Sequence, residues 1–436
     1  MLKIKLRDEY IKLGQALKAA GLVGSGVDAK FVIQDGLVKV NGETEYQRGK
    51  KLYDGDTVTY EGETIQIVKQ WLHAVMIIKS MSLKNYRNYE SLNLDFDPNI
   101  NIFYGDNAQG KTNILEAVYV SGTTKSHRSA KDRELIFFSE DEAHICTLLE
   151  KQGIIHKIDI HLRKNKTKGI AIDGIPIRKA SELFGIVNFV FFSPEDLSII
   201  KSGPSERRRF LDMELCQLDK IYLYHLSNYN KAVLQRNKIL KELSFRPDYR
   251  EVLDVLDIQL VQYGNEILKR RKRFTTELNG IIREIHSQLS GGQENIVLGY
   301  ESNVDENSFA DILTQSRDRD MRQKTTTVGP HRDDLSFYVN GIDIRKYGSQ
   351  GQQRTAALSL KLSEIELVKR TIHDTPVLLL DDVLSELDSN RQNYLLNSIR
   401  NIQTLITCTG LDEFINHRFS INRVYRVTDG HVTVEN

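Results

Sequence analysis

The segment Gly105-Asp106-Asn107-Ala108-Gln109-Gly110-Lys111-Thr112 has the spacing G-x-x-x-x-G-K-T. Glycines at these two places let backbone N–H groups turn inward, and a lysine here reaches the terminal phosphates of a nucleotide. Ile100–Tyr104 before it reads as a short strand and Asn113–Val120 after it as a helix. The motif requires that setting, because the helix start adds its positive dipole end to the loop. Lys111 would contact the β- and γ-phosphates of ATP, and Thr112 would ligate Mg²⁺. A second signal is Val377-Leu378-Leu379-Leu380-Asp381-Asp382, an apolar strand ending in two carboxylates. Asp381 would hold the metal, and Asp382 would orient or deprotonate an attacking water.

These two motifs lie some 270 residues apart. Compact nucleotide kinases fit both into a much shorter stretch. A large insertion between them marks ABC/SMC-type ATPases, whose site is completed by a signature loop from a second copy. Two segments compete for that role. Leu289-Ser290-Gly291-Gly292-Gln293 has the transporter letters but ends a long helical pattern. Ser349-Gln350-Gly351-Gln352-Gln353-Arg354 opens the helical run Thr355–Arg370. A capping loop should begin a helix, so that the dipole faces phosphate. The second is therefore chosen, with Ser349, Gly351 and Gln352 meeting the opposite subunit's nucleotide. Ser385–Asp388 resembles a loop that crosses such an interface. Transporter ATPases place a His on the next strand, Thr404–Thr409. None occurs here, and Thr407 or Thr409 would offer a hydroxyl instead.

The elements that must position these residues fall into four stretches: 1–70, 76–200, 201–295 and 296–436. In the first, helical patterns at Ile11–Ala20 and Asp28–Gln34 precede short strands around Val38–Val40 and Val58–Tyr60, with an Asn41-Gly42 hairpin signal. Gln70–Val75 reads as a linker. From Met76 come alternating strands, a β meander over 144–160 and 168–178 with a turn at Asp173-Gly174, and the apolar strand Val187–Phe192. Two helical stretches follow, Ser205–Leu243 and Tyr249–Leu289, with Pro247 as the turn. At 1.5 Å per residue, each would run on the order of 60 Å, which suggests a projecting lobe. The fold class is α/β: an ABC/SMC-type P-loop head with a helical second lobe, plus a small α+β N-terminal domain.

The composition excludes several classes. With 27% charged residues and a formal net charge of +1, nothing advertises a polyanion-binding protein, although charge can be segregated on one face. Three scattered cysteines give neither a disulfide framework nor a zinc pattern. No apolar run approaches the roughly 18 residues needed to span a bilayer. A reducing, cytoplasmic setting is expected, with no membrane partner.

From Met76 onward the chain resembles the RecF family of bacterial DNA replication and repair proteins. The likeness rests on Leu83–Tyr89, Asn107–Asn113, Lys125-Ser126-His127-Arg128, Phe192–Leu197, Gly203–Asp212, Thr327–Asp334 and Leu380–Asp388. It implies ATP-dependent dimerisation, binding of gapped or duplex DNA, slow DNA-stimulated ATP hydrolysis, and work with RecR and RecO to load RecA. It also implies Arg128 near the base or ribose. Residues 1–70 resemble an S-four-type RNA-binding domain through Leu13–Leu17, Ala29-Lys30, Gly36–Gly42 and Gly55-Asp56. Lys18, Lys30, Lys39, Arg48, Lys50 and Lys51 would meet phosphates there. The alternative function is thus an RNA-binding regulatory ATPase led by this domain. The runs Arg207–Arg209 and Lys269–Arg273 are basic; the first is expected to serve internal contacts, and the second is a candidate for DNA.

Overall fold

The computed structural model describes residues 2–6, 10–53, 55–69, 74–128, 131–243, 250–411, 414 and 421–435. The chain divides into two compact units, residues 1–73 and 74–436. The smaller has a five-stranded sheet in the order Leu2–Leu6, Glu63–Lys69, Thr57–Tyr60, Val38–Val40, Glu43–Thr44. Helices Leu13–Ala19 and Gly26–Gln34 supply Leu13, Leu17, Ala29 and Ile33 to a core shared with Val38, Val58 and Ile65. Ile11, expected in the first helix, instead lies in a two-residue strand paired with Lys51–Leu52. Ser25 caps the second helix, so it starts at Gly26 rather than Asp28.

The larger unit is built on two six-stranded sheets. One is antiparallel, with Ile77–Tyr86 between Tyr89–Asp95 and Glu142–Lys151, and continues through Ile154–Arg163, Gly169–Ile172 and Ile175–Pro176. Asp173 and Gly174 both adopt positive φ at its last turn. The other is mostly parallel and carries the site. Its elements are β1 (Ile100–Tyr104), α1 (Lys111–Thr123), β2 (Phe189–Phe192), α2 (Pro204–Leu218), α3 (Lys220–Glu242), α4 (Arg250–Leu289), α5 (Gln350–Ile372), β3 (Val377–Asp381), α6 (Ser389–Ser398), β4 (Thr404–Cys408), β5 (Arg423–Thr428) and β6 (His431–Glu435). The strand order is β2-β3-β4-β1-β5-β6, and only β6 is antiparallel to its neighbour. Strands buried on both faces read as continuous apolar runs, which is why Val377–Leu380 shows no alternation.

Three expectations change. Of the linker Gln70–Val75, residues 70–73 lie outside the described residues, while Ala74–Val75 pairs in parallel with Asp374–Thr375. The stretch Ser205–Leu243 is two helices, because Asp219 leaves helical geometry and its carboxylate accepts from Ile221 N (2.8 Å) and Tyr222 N (3.0 Å). The Pro247 turn lies outside the described residues. Finally, α4 is packed into the core from Leu260 onward. Leu260, Ile267, Leu278 and Ile282 join one core with Ala356, Leu360 and Leu367 of α5 and with Ile296 and Leu298 of the strand Ile296–Glu301.

Candidate functional site

The nucleotide motif sits where β1 turns into α1. Gly105 has φ +149°, and a Cβ there would lie 2.3 Å from the Val427 carbonyl oxygen. Gly110 has φ +111°, and a Cβ would press within 2.4–2.8 Å of Asn88 and the Tyr89 hydroxyl. Glycine is thus required at both ends of the loop by contact as well as by backbone angle. Asn88 Nδ2 donates to Gln109 O (3.1 Å), the Tyr89 hydroxyl donates to Gly110 O (3.1 Å), and Asn113 Nδ2 donates to Asn88 Oδ1 (2.8 Å). On the other side Asp429 N donates to Gln109 Oε1 (2.5 Å). These braces went unassigned in the sequence. Their one signal was the Leu83–Tyr89 motif, which gave no role to any residue.

Lys111 is buried and donates to Gly105 O (2.5 Å) and Asp106 O (2.7 Å). Burial pushes its ammonium below the ordinary lysine value, opposed by the Asp382 and Asp381 charges. Thr112 Oγ1 donates to Asp381 Oδ1 (2.8 Å), and Thr407 Oγ1 donates to the same oxygen (2.7 Å). Thr407 also accepts from Asp382 N, through Oγ1 (3.0 Å) and O (3.2 Å). Thr407 is therefore engaged with the two acids, and Thr409 is the exposed one of the pair. Asp382 has φ +52°, and burial followed by the Asp381 charge raises its carboxyl above the usual range. A threonine hydroxyl and a carboxylate on one point form a hard oxygen pair that fits Mg²⁺.

Asp106, Asn107 and Ala108 form the tip of the loop, with Ala108 at φ +65°. Arg128 Nη1 donates to Asn113 Oδ1 (3.3 Å), which places it beside the first turn of α1. Behind that turn Arg87 grips the buried Glu116 with two 2.8 Å hydrogen bonds, and Ser126 Oγ adds a third (2.6 Å).

Ser349 caps α5, accepting from Gln352 N (3.2 Å), while Gln352 Oε1 accepts from Ser349 N (3.0 Å). Gly351 lies in this first turn. Among the described residues, no hydrogen bond joins Ser349–Gln352 to Gly105–Thr112. Leu289–Gln293 terminates α4, with Gly291 and Gly292 at φ +63° and +79°. The Ser385–Asp388 loop is tied to α5: Glu386 pairs with Arg354 (2.6 Å), and Arg391, held by Asp388 (2.6 Å), donates to Thr355 Oγ1 (2.6 Å).

Arg207 and Arg271, one in each basic run, are buried in internal ion pairs. Arg207 pairs bidentately with Asp334, Arg208 donates to Asp333 O, and Arg209 to His127 O. In the other run, Arg271 is buried against Asp212 (2.7 Å), Asp333 (2.9 Å) and Pro330 O (2.6 Å). Arg270 pairs with Asp219, Lys269 with Glu266, and Arg273 with Glu277. Within the candidate DNA run, Arg270 and Arg271 reach acids distant in sequence, whereas Lys269 and Arg273 pair with acids three and four residues away on the same helix and stay exposed. No helix among the described residues is long and apolar enough to cross a membrane.

Residues 77–433 match the family model of the RecF/RecN/SMC N terminal domain, and residues 4–68 that of the S4 domain. The DNA replication and repair protein RecF of Agathobacter rectalis is 63% identical over 359 residues, covering 82% of this chain and 99% of its own. That of Lachnospira eligens is 63% identical over 363 residues, covering 83% of this chain and all of its own. A solved structure of the recombination mediator protein RecF with ATP, of the RecFOR pathway, superposes with a TM-score of 0.78 at 34% identity, over 84% of this chain and 99% of that one. The chain belongs to the RecF family of DNA replication and repair proteins, and joins an ABC/SMC-type ATPase head to an N-terminal S4 domain.

Proposed function

We propose that this chain is an ATP-dependent DNA-binding protein of recombinational repair and replication restart, dimerising on ATP and acting with RecR and RecO to aid RecA loading at single-strand gaps. The observation that carries the nucleotide part is the hydrogen bond from Thr112 Oγ1 to Asp381 Oδ1, which joins the two motifs across 269 positions of sequence. In this reading the loop amides of Gly105–Gly110 cradle the phosphates, and Lys111 exchanges its two carbonyl acceptors for the β/γ-phosphate oxygens. Thr112 and Asp381 hold Mg²⁺, which when bound neutralises charge on the phosphates. Asp382 orients the attacking water. Its raised carboxyl and short reach fit the weak, DNA-stimulated ATPase activity proposed for this chain. Arg128 lies against the base or ribose.

Closure of the site in trans is supported by where α5 begins. Ser349, Gly351 and Gln352 present the positive end of a 23-residue helix, with no bond to the loop of their own chain among the described residues. A facing subunit then places that helix start on the γ-phosphate. Membership of the RecF family, together with the RecFOR pathway of its solved relatives, supports the DNA, RecR and RecO partnership.

Sedimentation of the full chain with and without a non-hydrolysable ATP analogue and duplex DNA tests the reading. A dimer that forms only with nucleotide, and is lost together with hydrolysis in Lys111→Arg, is expected. A Lys111→Arg chain that dimerises with ATP as wild type does overturns it. RNA binding through residues 1–70 is a second reading, favoured by six exposed cations, Lys18, Lys30, Lys39, Arg48, Lys50 and Lys51. Equal RNA affinity with and without those residues sinks it.

A further inference from the structure

The exposed face of the antiparallel sheet carries a cluster that the nucleotide chemistry does not use. His144 of Glu142–Lys151 stands directly opposite His161 of Ile154–Arg163, and their rings stack with centroids 4.0 Å apart at 21°. Glu142 lies two positions from His144, so its side chain emerges on the same face. It pairs with His161 Nε2 at 2.8 Å. One ligand atom from each of the three residues lies within 4.8 Å of the other two, and among the described residues this is the one such group of three. We propose that Glu142, His144 and His161 bind one divalent transition-metal ion of the zinc type, with solvent in the fourth position.

The donor set selects the metal class. Two imidazoles and one carboxylate suit Zn²⁺, Ni²⁺ or Co²⁺, whereas Mg²⁺ and Ca²⁺ demand oxygen shells. A tetrahedral ion with bonds of about 2.1 Å needs its ligands roughly 3.4 Å apart. Directly opposed residues on antiparallel strands hold their Cβ atoms about 5 Å apart. Rotation about the broad Cβ–Cγ torsion of each imidazole then turns the ring nitrogens from stacking toward a common point. The flanking charges sharpen the choice. Lys84 is the strand partner of His144 on its other side, and Arg163 is the partner of Glu142. Both oppose a hydrated dication held by charge alone, so affinity has to come from nitrogen ligation. Such an ion would staple the hairpin Glu142–Arg163 across its two strands.

The test is calorimetric titration of the nucleotide-free, chelator-stripped full chain with ZnCl₂ and NiCl₂, in parallel with thermal unfolding. One ion per chain is expected, undisturbed by excess Mg²⁺, with a rise in Tm. The His144→Ala/His161→Ala double variant should lose at least about tenfold in affinity and the Tm response, while still binding ATP as wild type does. His161→Asn, which retains a polar group beside Glu142, should fall between and guards against a folding defect in the double variant. Zinc affinity and Tm response equal in wild type and both variants, or displacement of the ion by Mg²⁺, overturns the proposal.

Discussion

Leu289–Gln293 and Ser349–Gln353 use nearly the same small, polar residue types, yet they occupy opposite ends of helices. At the first, the amides are consumed by the helix they close: Ser290 N donates to His286 O (2.9 Å) and Gly292 N to Ser287 O (2.7 Å). What faces outward there is the negative end of α4. At the second, Ser349 Oγ caps Gln352 N, the amides of Gln350 and Gly351 have no intrahelical acceptor, and the positive end points away from the helix body. The direction of the backbone, rather than the residue letters, decides which segment can meet a phosphate. The two are also joined. Glu294, just past the first, accepts from Gln352 Nε2 (2.9 Å) of the second and from the buried His286 (3.1 Å), whose other nitrogen meets Ser359 of α5 (2.9 Å). The look-alike segment is thus a buttress for the other.

The largest test of this contrast is Ser349→Arg. It should weaken ATP-dependent dimerisation at least about 100-fold, or roughly 2.7 kcal/mol, with nucleotide binding by the monomer retained; sedimentation and a nucleotide titration read the two. If Ser290→Arg does this instead, the roles are reversed. Glu294→Ala should loosen the buttress and cost about 1 kcal/mol, seen as a several-fold weaker dimer. Gly292→Ala forces a side chain into left-handed backbone, costing about 1 kcal/mol of stability; its urea midpoint should fall while dimer affinity holds. The smallest effect concerns pH. Burial, the largest cause, holds the His286 imidazole below its ordinary value of 6.5. The folded chain therefore binds this proton less readily than the unfolded one. Stability from this site is intact above about pH 6.5 and declines as pH falls below it. His286→Gln should flatten that part of the urea-midpoint profile, and an unchanged slope refutes the assignment.

The nucleotide loop was legible because its eight residues are contiguous and their spacing reflects one local geometry. So were the apolar strands β1 and β3, and the placement of helix starts and ends around the two segments above. The break at Asp219 was not, since no Gly or Pro marks it and the apolar periodicity runs through; the capping carboxylate is its one signal. Nor was the fate of Arg271, whose partners Asp212 and Asp333 are distant in sequence. A run of cations looks the same whether it faces solvent or neutralises buried acids. Likewise Asn88 and Tyr89 brace a loop about twenty residues on through side-chain contacts that no period announces.

The floor of that loop has a consequence in time. Gly105 lies against Val427, Gln109 is held by Asp429, and β1 is flanked by β4 and β5. A nascent chain stopped short of residue 404 carries every letter of the motif and its Asn88 and Tyr89 braces, but neither of the strands that flank β1. Long-range pairing of this kind is slow, because loop closure precedes its reward. During synthesis, then, the sheet that floors the loop closes only once the last strands of the chain have emerged.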